Sequence, residues 1–168
     1  MIILNKNAKC CITGYNSNKL PYGEDRTNPD CTAMLDRLKQ AIIEQLDKGV
    51  YQFYIGMDCG VELWSAEILL SLKDNYPPLE IYPILSSEEL ANEWSDDSHS
   101  LFYDTVMPNC EDEFRISNHH TDDCVSRRNK WLAEKCNLFL AVYDGQENTS
   151  VGEILGLAMK KEIILIEP

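Results

Sequence analysis

The sequence predicts an α/β fold: a single Rossmann-like domain over residues 1–168, with a mainly parallel sheet and helices on both faces. Two observations lead to this fold class. Short apolar segments rich in β-branched and aromatic residues alternate with segments in which apolar residues recur at helical spacing. The short segments are apolar on both faces, as strands are when helices cover each side of a parallel sheet. The length of 168 residues fits one domain.

Turn signals between the apolar segments define the elements of the first half. The first strand ends at Gly14, and a loop rich in Asn, Pro and Gly runs from there to about Asp30. Gly49 marks the end of the first helix, and Pro77-Pro78 ends the second, which presents one apolar face. The expected strands are 8–13, 50–55 and 79–84, and the expected helices are 31–48 and 61–72.

The second half begins with an acidic segment, 86–112, which we interpret as two short helices with Trp94 and Phe102 facing inward. A polar loop at 117–123 precedes the next helix, and another polar loop follows Asp144-Gly145. Right-handed crossovers between parallel strands would place helices on both faces of the sheet. The expected strands are 113–116, 138–143 and 162–166, and the expected helices are 124–136 and 151–158.

Composition argues against several classes of partner. Lys and Arg total 15 against 28 Asp and Glu, a formal net charge of −13, whereas nucleic acids and anionic membranes attract basic surfaces. No stretch approaches the ~18 apolar residues of a membrane span, and residues 1–6 are followed by polar residues rather than the apolar run of a secretory signal. The seven cysteines are odd in number and form no CxxC pair. We therefore expect a cytoplasmic protein with no membrane or nucleic-acid partner, and the sequence leaves homo-oligomer formation open.

Ligands of open parallel sheets bind beyond the carboxyl ends of the strands, near the point where the strand order reverses. The turn from Gly56 to Gly60 enters a helix whose first amides and dipole suit a phosphate. Alternatively, the two glycines only let strand and helix pack closely, and the pattern favours neither interpretation. The loops selected by this rule are 14–30, 56–60, 117–123 and 144–150.

Two other groups of residues have a structural and a functional interpretation. Ser150 and Glu153 match a capping box at the start of the last helix, which spacing alone favours, but Glu153 is also a candidate nucleophile or general base at a sugar carbon. Arg127, Arg128 and Asn129 lie in the first turns of a helix, where an anionic ligand would explain two cations that oppose the dipole. Pairing with nearby carboxylates is the alternative for the arginines.

Neither a metal site nor a nucleophilic cysteine is expected. The polar group His119, His120, Asp122 and Cys124 matches no standard zinc spacing. No histidine lies at a recognisable spacing from any cysteine, so the thiols are interpreted as core or incidental residues.

Four stretches of the chain carry a family resemblance. They are Ile12-Thr13-Gly14-Tyr15 with Lys19 to Gly23, Gly56 to Glu67, Arg127 to Leu132, and Leu140 to Gly145. In this order they resemble the YpsA-like proteins, a family of unknown biochemical function in the SLOG superfamily of SMF/DprA and LOG proteins. The resemblance implies a Rossmann-like fold that binds a nucleotide or nucleotide-derived ligand across these loops, and it implies no other cofactor. The ligand-binding positions would be Thr13, Gly14, Tyr15, Gly56, Asp58, Gly60, Glu62, Arg128, Asn129, Asp144, Gly145, Thr149 and Ser150.

The last loop departs from the family pattern. Relatives usually carry a Pro-Gly-Gly-Thr-like phosphate cradle there, whereas this chain has Gln146 to Ser150 after Gly145. Fewer glycines restrict close approach of the backbone, and Glu147 adds negative charge where a phosphate would lie. The sequence thus indicates weaker phosphate binding or a less anionic ligand.

The stretch from Asp144 to Ile164 is also similar to the last motif of nucleoside deoxyribosyltransferases, in which a glutamate at the place of Glu153 is the nucleophile. LOG-type phosphoribohydrolases likewise place a catalytic glutamate after their glycine-rich loop. These similarities imply an alternative function, hydrolysis or transfer at an N-glycosidic bond with Glu153 as the catalytic residue. A third hypothesis, a DNA-associated module by analogy with the DprA branch, is disfavoured by the net charge of −13.

Overall fold

A computed structural model describes residues 7–168, which form a Rossmann-like α/β fold around a six-stranded parallel sheet. The predicted fold class is confirmed. Residues 1–6, where the predicted domain begins and where no secretory signal is expected, lie outside the described residues. The strands are β1 (Lys9–Gly14), β2 (Gln52–Ile55), β3 (Glu80–Leu85), β4 (Phe114–Arg115), β5 (Leu138–Val142) and β6 (Glu162–Ile166). The α-helices are α1 (Pro29–Asp47), α2 (Val61–Leu72), α3 (Asp96–Ser100), α4 (Cys124–Lys135) and α5 (Ser150–Leu157). A π-helix, Leu101–Val106, continues α3, and Ser17–Lys19 and Met107–Asn109 are short 3-10 helices.

The order of the strands across the sheet is β4-β3-β2-β1-β5-β6. The chain therefore runs from β1 to β4 in one direction and then crosses to add β5 and β6 on the other side of β1. Right-handed crossovers place α1 and α2 on one face and α5 on the other. In agreement with this, α1 packs with α2, and α4 packs with α5. The strand order reverses between β1 and β5, which is where ligands of such sheets bind.

The core forms because apolar side chains cover both faces of the central strands. All five residues of β5 are buried, as expected of a strand between two helical layers. Met34, Leu38 and Ile42 recur every four residues along α1 and are fully buried against the sheet. Each such side chain contributes roughly 1.5–3 kcal/mol on burial. The sheet is thus a rigid support for the loops at its carboxyl edge.

The segment 86–112 differs most from the sequence-based expectation of two short helices. Residues 88–94 form turns, and the helix α3 starts only after Ser95, whose hydroxyl accepts a hydrogen bond from the Ser98 amide. Phe102 is buried as expected, whereas Trp94 is half-buried against it, with 5.3 Å between the ring centroids. The first part of the segment is not helical because it crosses the carboxyl edge of the sheet and buries Ala91, so tertiary packing overrides local propensity.

The described residues bear on two sequence-based predictions, the absence of a membrane span and the role of the cysteines. Within residues 7–168, no helix is long and apolar enough to cross a membrane. All seven cysteines are free, and six of them are buried. Burial raises the pKa of the Cys10 thiol well above its ordinary value, which disfavours the nucleophilic thiolate.

Candidate functional site

Two adjoining cavities lie along the carboxyl edge of the sheet. The small cavity has a volume of about 220 Å³ and lies at the reversal of strand order, between the loop after β1 and the first turn of α5. The large cavity has a volume of about 800 Å³ and lies beside it, next to the loop after β3. Asn16, Asn18 and Asp58 line both cavities, so the two form one crevice. The small cavity is lined by Gly14, Tyr15, Asn16, Asn18, Lys19, Asp58, Glu62, Asn148, Thr149, Ser150 and Val151.

The loop after β1 is packed tightly onto the start of α2. A Cβ on Gly14 would lie 2.3 Å from Cγ1 of Val61, so only glycine fits where β1 meets this helix. The carbonyl of Tyr15 accepts a hydrogen bond from the Val61 amide at 3.3 Å. Asn16 forms an antiparallel bridge with Gly60. The loop after β1 therefore covers the N-terminus of α2.

The turn from Gly56 to Gly60 packs closely against the loop after β1. This agrees with the interpretation that its two glycines let strand and helix pack closely. Gly60 has φ +99°, and a Cβ there would lie 2.5 Å from the Ser17 nitrogen. Met57 adopts a left-handed φ of 62°, which costs of order 1 kcal/mol for a non-glycine residue. The Asp58 carboxylate accepts hydrogen bonds from the Asn16 side chain at 3.0 Å and from the Cys59 amide at 2.9 Å. Phosphate binding by the amides of this turn stays a prediction.

Glu62, which lines the small cavity, and Arg128, which lies behind its wall, are both buried. Their exposed fractions are 3% and 1%. A Cβ on Gly56 would lie 2.6 Å from Oε1 of Glu62 and 3.0 Å from Nη1 of Arg128, so this glycine makes room for both side chains. Oε1 of Glu62 and Nε of Arg128 have no hydrogen-bond partner among the described residues. Burial raises the pKa of Glu62 to about 8, Arg128 lowers it and Asp58 raises it further.

Arg128 and Asn129 also hold the start of α5. Nη2 of Arg128 donates to the Ser150 hydroxyl at 3.2 Å, and Nδ2 of Asn129 donates to the same oxygen at 3.0 Å. Nη1 of Arg128 donates to the Gly56 carbonyl at 3.4 Å. Neither Arg128 nor Asn129 lines a cavity, so they support its wall from behind. Arg127, by contrast, is exposed and lies 4.0 Å from Asp123, as the pairing alternative proposed.

Tyr15 ties the loop after β5 to the loop after β1. Its hydroxyl donates to Oδ1 of Asp144 at 2.5 Å and accepts from the amides of Asp144 and Gln146 at 3.2 and 3.4 Å. The hydrogen bond from Tyr15 lowers the pKa of Asp144. Gly145 has φ +101° and open space around it. Asp144 and Gly145 thus shape the loop but line neither cavity.

The expected capping box of Ser150 and Glu153 is wrong. The N-cap is Thr149, whose hydroxyl accepts from the Gly152 amide at 3.1 Å, because Ser150 is already the first residue of α5 and its hydroxyl binds α4. The Glu153 carboxylate accepts instead from Asn129 at 3.1 Å and from Ser126 at 3.2 Å. It lines neither cavity. Its catalytic role stays a prediction without geometric support.

The structure brings together about half of the residues that the sequence singled out. Those lining the small cavity are Gly14, Tyr15, Asp58, Glu62, Thr149 and Ser150. Those that support its walls or adjoining loops are Thr13, Gly56, Gly60, Arg128, Asn129, Asp144 and Gly145. Each remains a predicted position for ligand contact.

The part of the large cavity that follows β3 was missed from the sequence. The residues that lie in loops selected by the carboxyl-end rule are Asn16, Ser17, Asn18, Glu24, Asp58, Cys59 and His120. The large cavity is lined by the residues after β3 and by acidic side chains from three loops. Ser86 and Ser87 directly follow β3. The rule that ligands bind beyond the carboxyl ends of the strands would have identified them if the loop after β3 had been among the selected loops. Of the expected polar loop at 117–123, His120 lines the large cavity. Within residues 7–168, no group of three or more His, Cys, Asp or Glu side chains is placed to hold a metal ion.

Comparison with known proteins identifies relatives along most of the chain. Residues 10–163 match the YpsA family, described as the YspA SLOG family. A UPF0398 protein of Halalkalibacterium halodurans is 24% identical over 152 residues, which cover 90% of this chain and 80% of the relative. A UPF0398 protein of Bacillus cereus is 26% identical over 156 residues, covering 89% and 82%. One from Leuconostoc citreum is 33% identical over 89 residues, covering 53% and 47%.

A solved structure shows a similar fold. DNA processing protein A from Helicobacter pylori, described for its single-stranded DNA binding mode, matches with a TM-score of 0.57 and 13% identity. The match covers 96% of this chain and 66% of that protein's chain. At this level of identity the likeness supports the Rossmann-like fold and carries no conclusion about function.

Proposed function

This chain belongs to the YpsA SLOG family, and we propose that it is a single Rossmann-like domain that binds a nucleotide or nucleotide-derived ligand at the carboxyl edge of its sheet. The family has no established function to transfer. The proposal therefore depends on the crevice at the reversal of strand order, where ligands of this fold class bind. The seven free cysteines support a reducing, cytoplasmic location as part of the same proposal.

The observation that carries the proposal is the opening of the α5 N-terminus onto the small cavity. Asn148, Thr149, Ser150 and Val151 line this cavity. The first amides of a helix lack intrahelical partners and bear the positive end of its dipole, so they favour an anionic group. Thr149 occupies only the Gly152 amide. Lys19 also lines this cavity and adds a positive charge.

The anionic group that fits here carries little charge. Gly152 already packs against the backbone of Glu147, since a Cβ on it would lie 2.4 Å from the Glu147 carbonyl oxygen. Asp58 lines the same cavity and opposes additional negative charge. Glu62 opposes it less, because a carboxyl with a pKa of about 8 is mostly neutral at pH 7. A monophosphate or a carboxylate therefore suits the small cavity better than a polyphosphate.

The junction of the two cavities suits a sugar. Asp58 and Asn16 line both cavities, and a carboxylate beside an amide can accept from and donate to ribose hydroxyls. Trp94 lines the large cavity and is half-buried, so its ring offers a surface on which a base can stack. An anionic group at α5, a sugar at Asp58 and a base near Trp94 would together span the crevice.

Nucleic acid is not part of this proposal. The Helicobacter pylori neighbour was described for binding single-stranded DNA, but its likeness to this chain concerns the fold. The net charge of −13 supports the sequence-based prediction that a polyphosphate strand is not the partner. The N-glycosidic alternative also stays a prediction, and release of free base that Glu153→Gln abolishes would establish it.

Thermal denaturation with a ligand panel tests the proposal. The panel comprises nucleosides, their mono-, di- and triphosphates, NAD and ADP-ribose at millimolar concentration, because a ligand that binds the native state raises the melting temperature. We expect a monophosphate or a related weakly charged compound to give the largest shift, and Lys19→Gln to reduce it.

The matched control is Lys39→Gln, which changes the net charge equally at an exposed position on α1, away from both cavities. It should leave the shift unchanged. A flat response of the parent protein to the whole panel would overturn the proposal, and equal losses in both variants would contradict the position of the anionic group.

A further inference from the structure

We propose that the large cavity is a binding site for an organic cation, that is, for a protonated amine or a comparable group of a ligand. Of its four carboxylates, only Asp58 was assigned a role from the family resemblance, and Glu24, Glu89 and Glu93 were assigned none. The inference rests on the walls of this cavity and not on nucleotide binding in the small one. Asp58 and Trp94 also take part in the proposed function, so the closing experiment tests the charge preference of the large cavity with probes that contain no nucleotide.

The large cavity is lined by carboxylates and, among the described residues, by no lysine or arginine. The four carboxylates are those of Glu24, Asp58, Glu89 and Glu93. A concave site lined by one sign of charge concentrates ligands of the opposite sign. A phosphate is repelled here, which matches the assignment of the anionic group to the small cavity.

Three of the carboxylates are held in position by the protein. Glu24 accepts a hydrogen bond from the Ser98 hydroxyl at 2.6 Å, and Asp58 is held by Asn16 and Cys59. Glu89 accepts from the His120 amide and lies 3.1 Å from Nδ1 of His119. These hydrogen bonds lower the pKa of Glu89 and favour its charged form.

Two serine hydroxyls give independent evidence for a ligand. Ser86 and Ser87 line the large cavity with exposed fractions of 2% and 1%. Within residues 7–168 neither hydroxyl forms a hydrogen bond, and neither is among the fully buried unpaired polar atoms, so both open onto the cavity. An ammonium group carries three donors and no acceptor. The serine oxygens can accept such donors in addition to the carboxylates.

The cation is organic rather than a metal ion. Within residues 7–168, the acidic side chains are too dispersed for three of them to share a metal. A volume of about 800 Å³ lies in the range of small-molecule pockets. Trp94 on the same wall offers an aromatic face, which attracts cations and the alkyl groups that carry them.

Isothermal titration with three ligands of equal chain length tests the charge preference. The probes are 1,4-diaminobutane, 1,4-butanediol and succinate, which are dicationic, neutral and dianionic at pH 7. We expect binding of the diamine alone, weakening as salt shortens the Debye length to ~3 Å at 1 M. Equal binding of the diol would overturn the inference, as would absence of binding by the diamine at low salt.

Substitutions then locate the site. Glu93 is exposed and forms no ion pair or side-chain hydrogen bond within residues 7–168, so Glu93→Gln should fold normally. Loss of one carboxylate near the cation should weaken diamine binding roughly five-fold, which corresponds to ~1 kcal/mol. Ser87→Ala should weaken it as well without changing the net charge.

The control is Glu44→Gln, an equal charge change at an exposed position on α1. It should leave diamine binding unchanged. If it weakened binding as much as Glu93→Gln, the diamine would be held by the overall charge of −13 rather than by the cavity, and the inference would be wrong. The thermal shifts of the nucleotide panel and their loss in Lys19→Gln report separately on the proposed function.

Discussion

Glu62 should make the stability of this protein fall as pH rises through neutrality. Its carboxyl is 3% exposed, and burial raises its pKa from 4.5 to about 8. Below pH 4.5 the group is protonated in the folded and the unfolded chain. Between pH 4.5 and 8 the unfolded chain has released the proton while the folded chain retains it, so rising pH favours unfolding. Above pH 8 the group is ionised in both.

The size of this effect follows from the two pKa values. Each pH unit between them costs ~1.4 kcal/mol, and the full interval from 4.5 to about 8 gives an upper bound of ~5 kcal/mol. Glu62→Gln replaces the carboxyl by a neutral amide of nearly equal shape. The stability of the parent relative to this variant should therefore fall by roughly 2–3 kcal/mol from pH 5.5 to 7.5.

Urea denaturation of both proteins at pH 5.5, 6.5 and 7.5 measures this difference. Glu44→Gln on the exposed surface of α1 serves as the control, and its profile should run parallel to that of the parent. A parallel profile for Glu62→Gln would refute the reasoning, because it would show that Arg128 compensates the buried charge fully.

Two further predictions concern the loops around the small cavity. Tyr15→Phe removes the hydroxyl that binds Asp144 and the Gln146 amide. It should lower the free energy of unfolding by ~1–1.5 kcal/mol and the melting temperature by about 3–5 °C. It should also raise the pKa of Asp144 in an NMR titration, and an unchanged pKa would contradict the contact. Gly14→Ala places a methyl group 2.3 Å from Val61 and should lower the free energy of unfolding, measured in urea, by ~1–3 kcal/mol. Gly156→Ala on α5 has open space around it and should raise that free energy by ~0.5–1 kcal/mol. Equal effects of the two substitutions would contradict the packing of β1 on α2.

Most of the fold could be predicted because its signals are local. The apolar run of β5 and the four-residue spacing of Met34, Leu38 and Ile42 depend only on neighbouring residues and their burial. The segment 86–112 could not be predicted in the same way. Its acidic, Glu-rich composition favours helix, but Ser86, Ser87 and Ala91 are buried by contacts distant in sequence. Local propensity is a weak constraint where such contacts decide the conformation.

The location of the candidate site could be predicted from the sequence, whereas the roles of several of its residues could not. The carboxyl-end rule placed Tyr15, Asp58 and Thr149 near one another, and the structure puts all three on the small cavity. Arg128 and Asn129 were interpreted as facing a ligand, yet both are buried behind the wall and bind the start of α5. The direction of a side chain on a helix depends on how the helix is rotated against its neighbours, which spacing along one helix does not specify.

Glu62 and Arg128 connect the proposed anion site with the pH dependence of stability. Each has one atom without a hydrogen-bond partner among the described residues, and both lie beside Gly56. Glu62 lines the cavity that we assign to an anion, and Arg128 lies behind its wall. An anion bound there would disfavour ionisation of Glu62, and by linkage a protonated Glu62 would favour the anion. The neutral form of Glu62 at pH 7 thus permits an anion at the α5 N-terminus of an otherwise acidic crevice, and Arg128 keeps a positive charge behind the cavity wall.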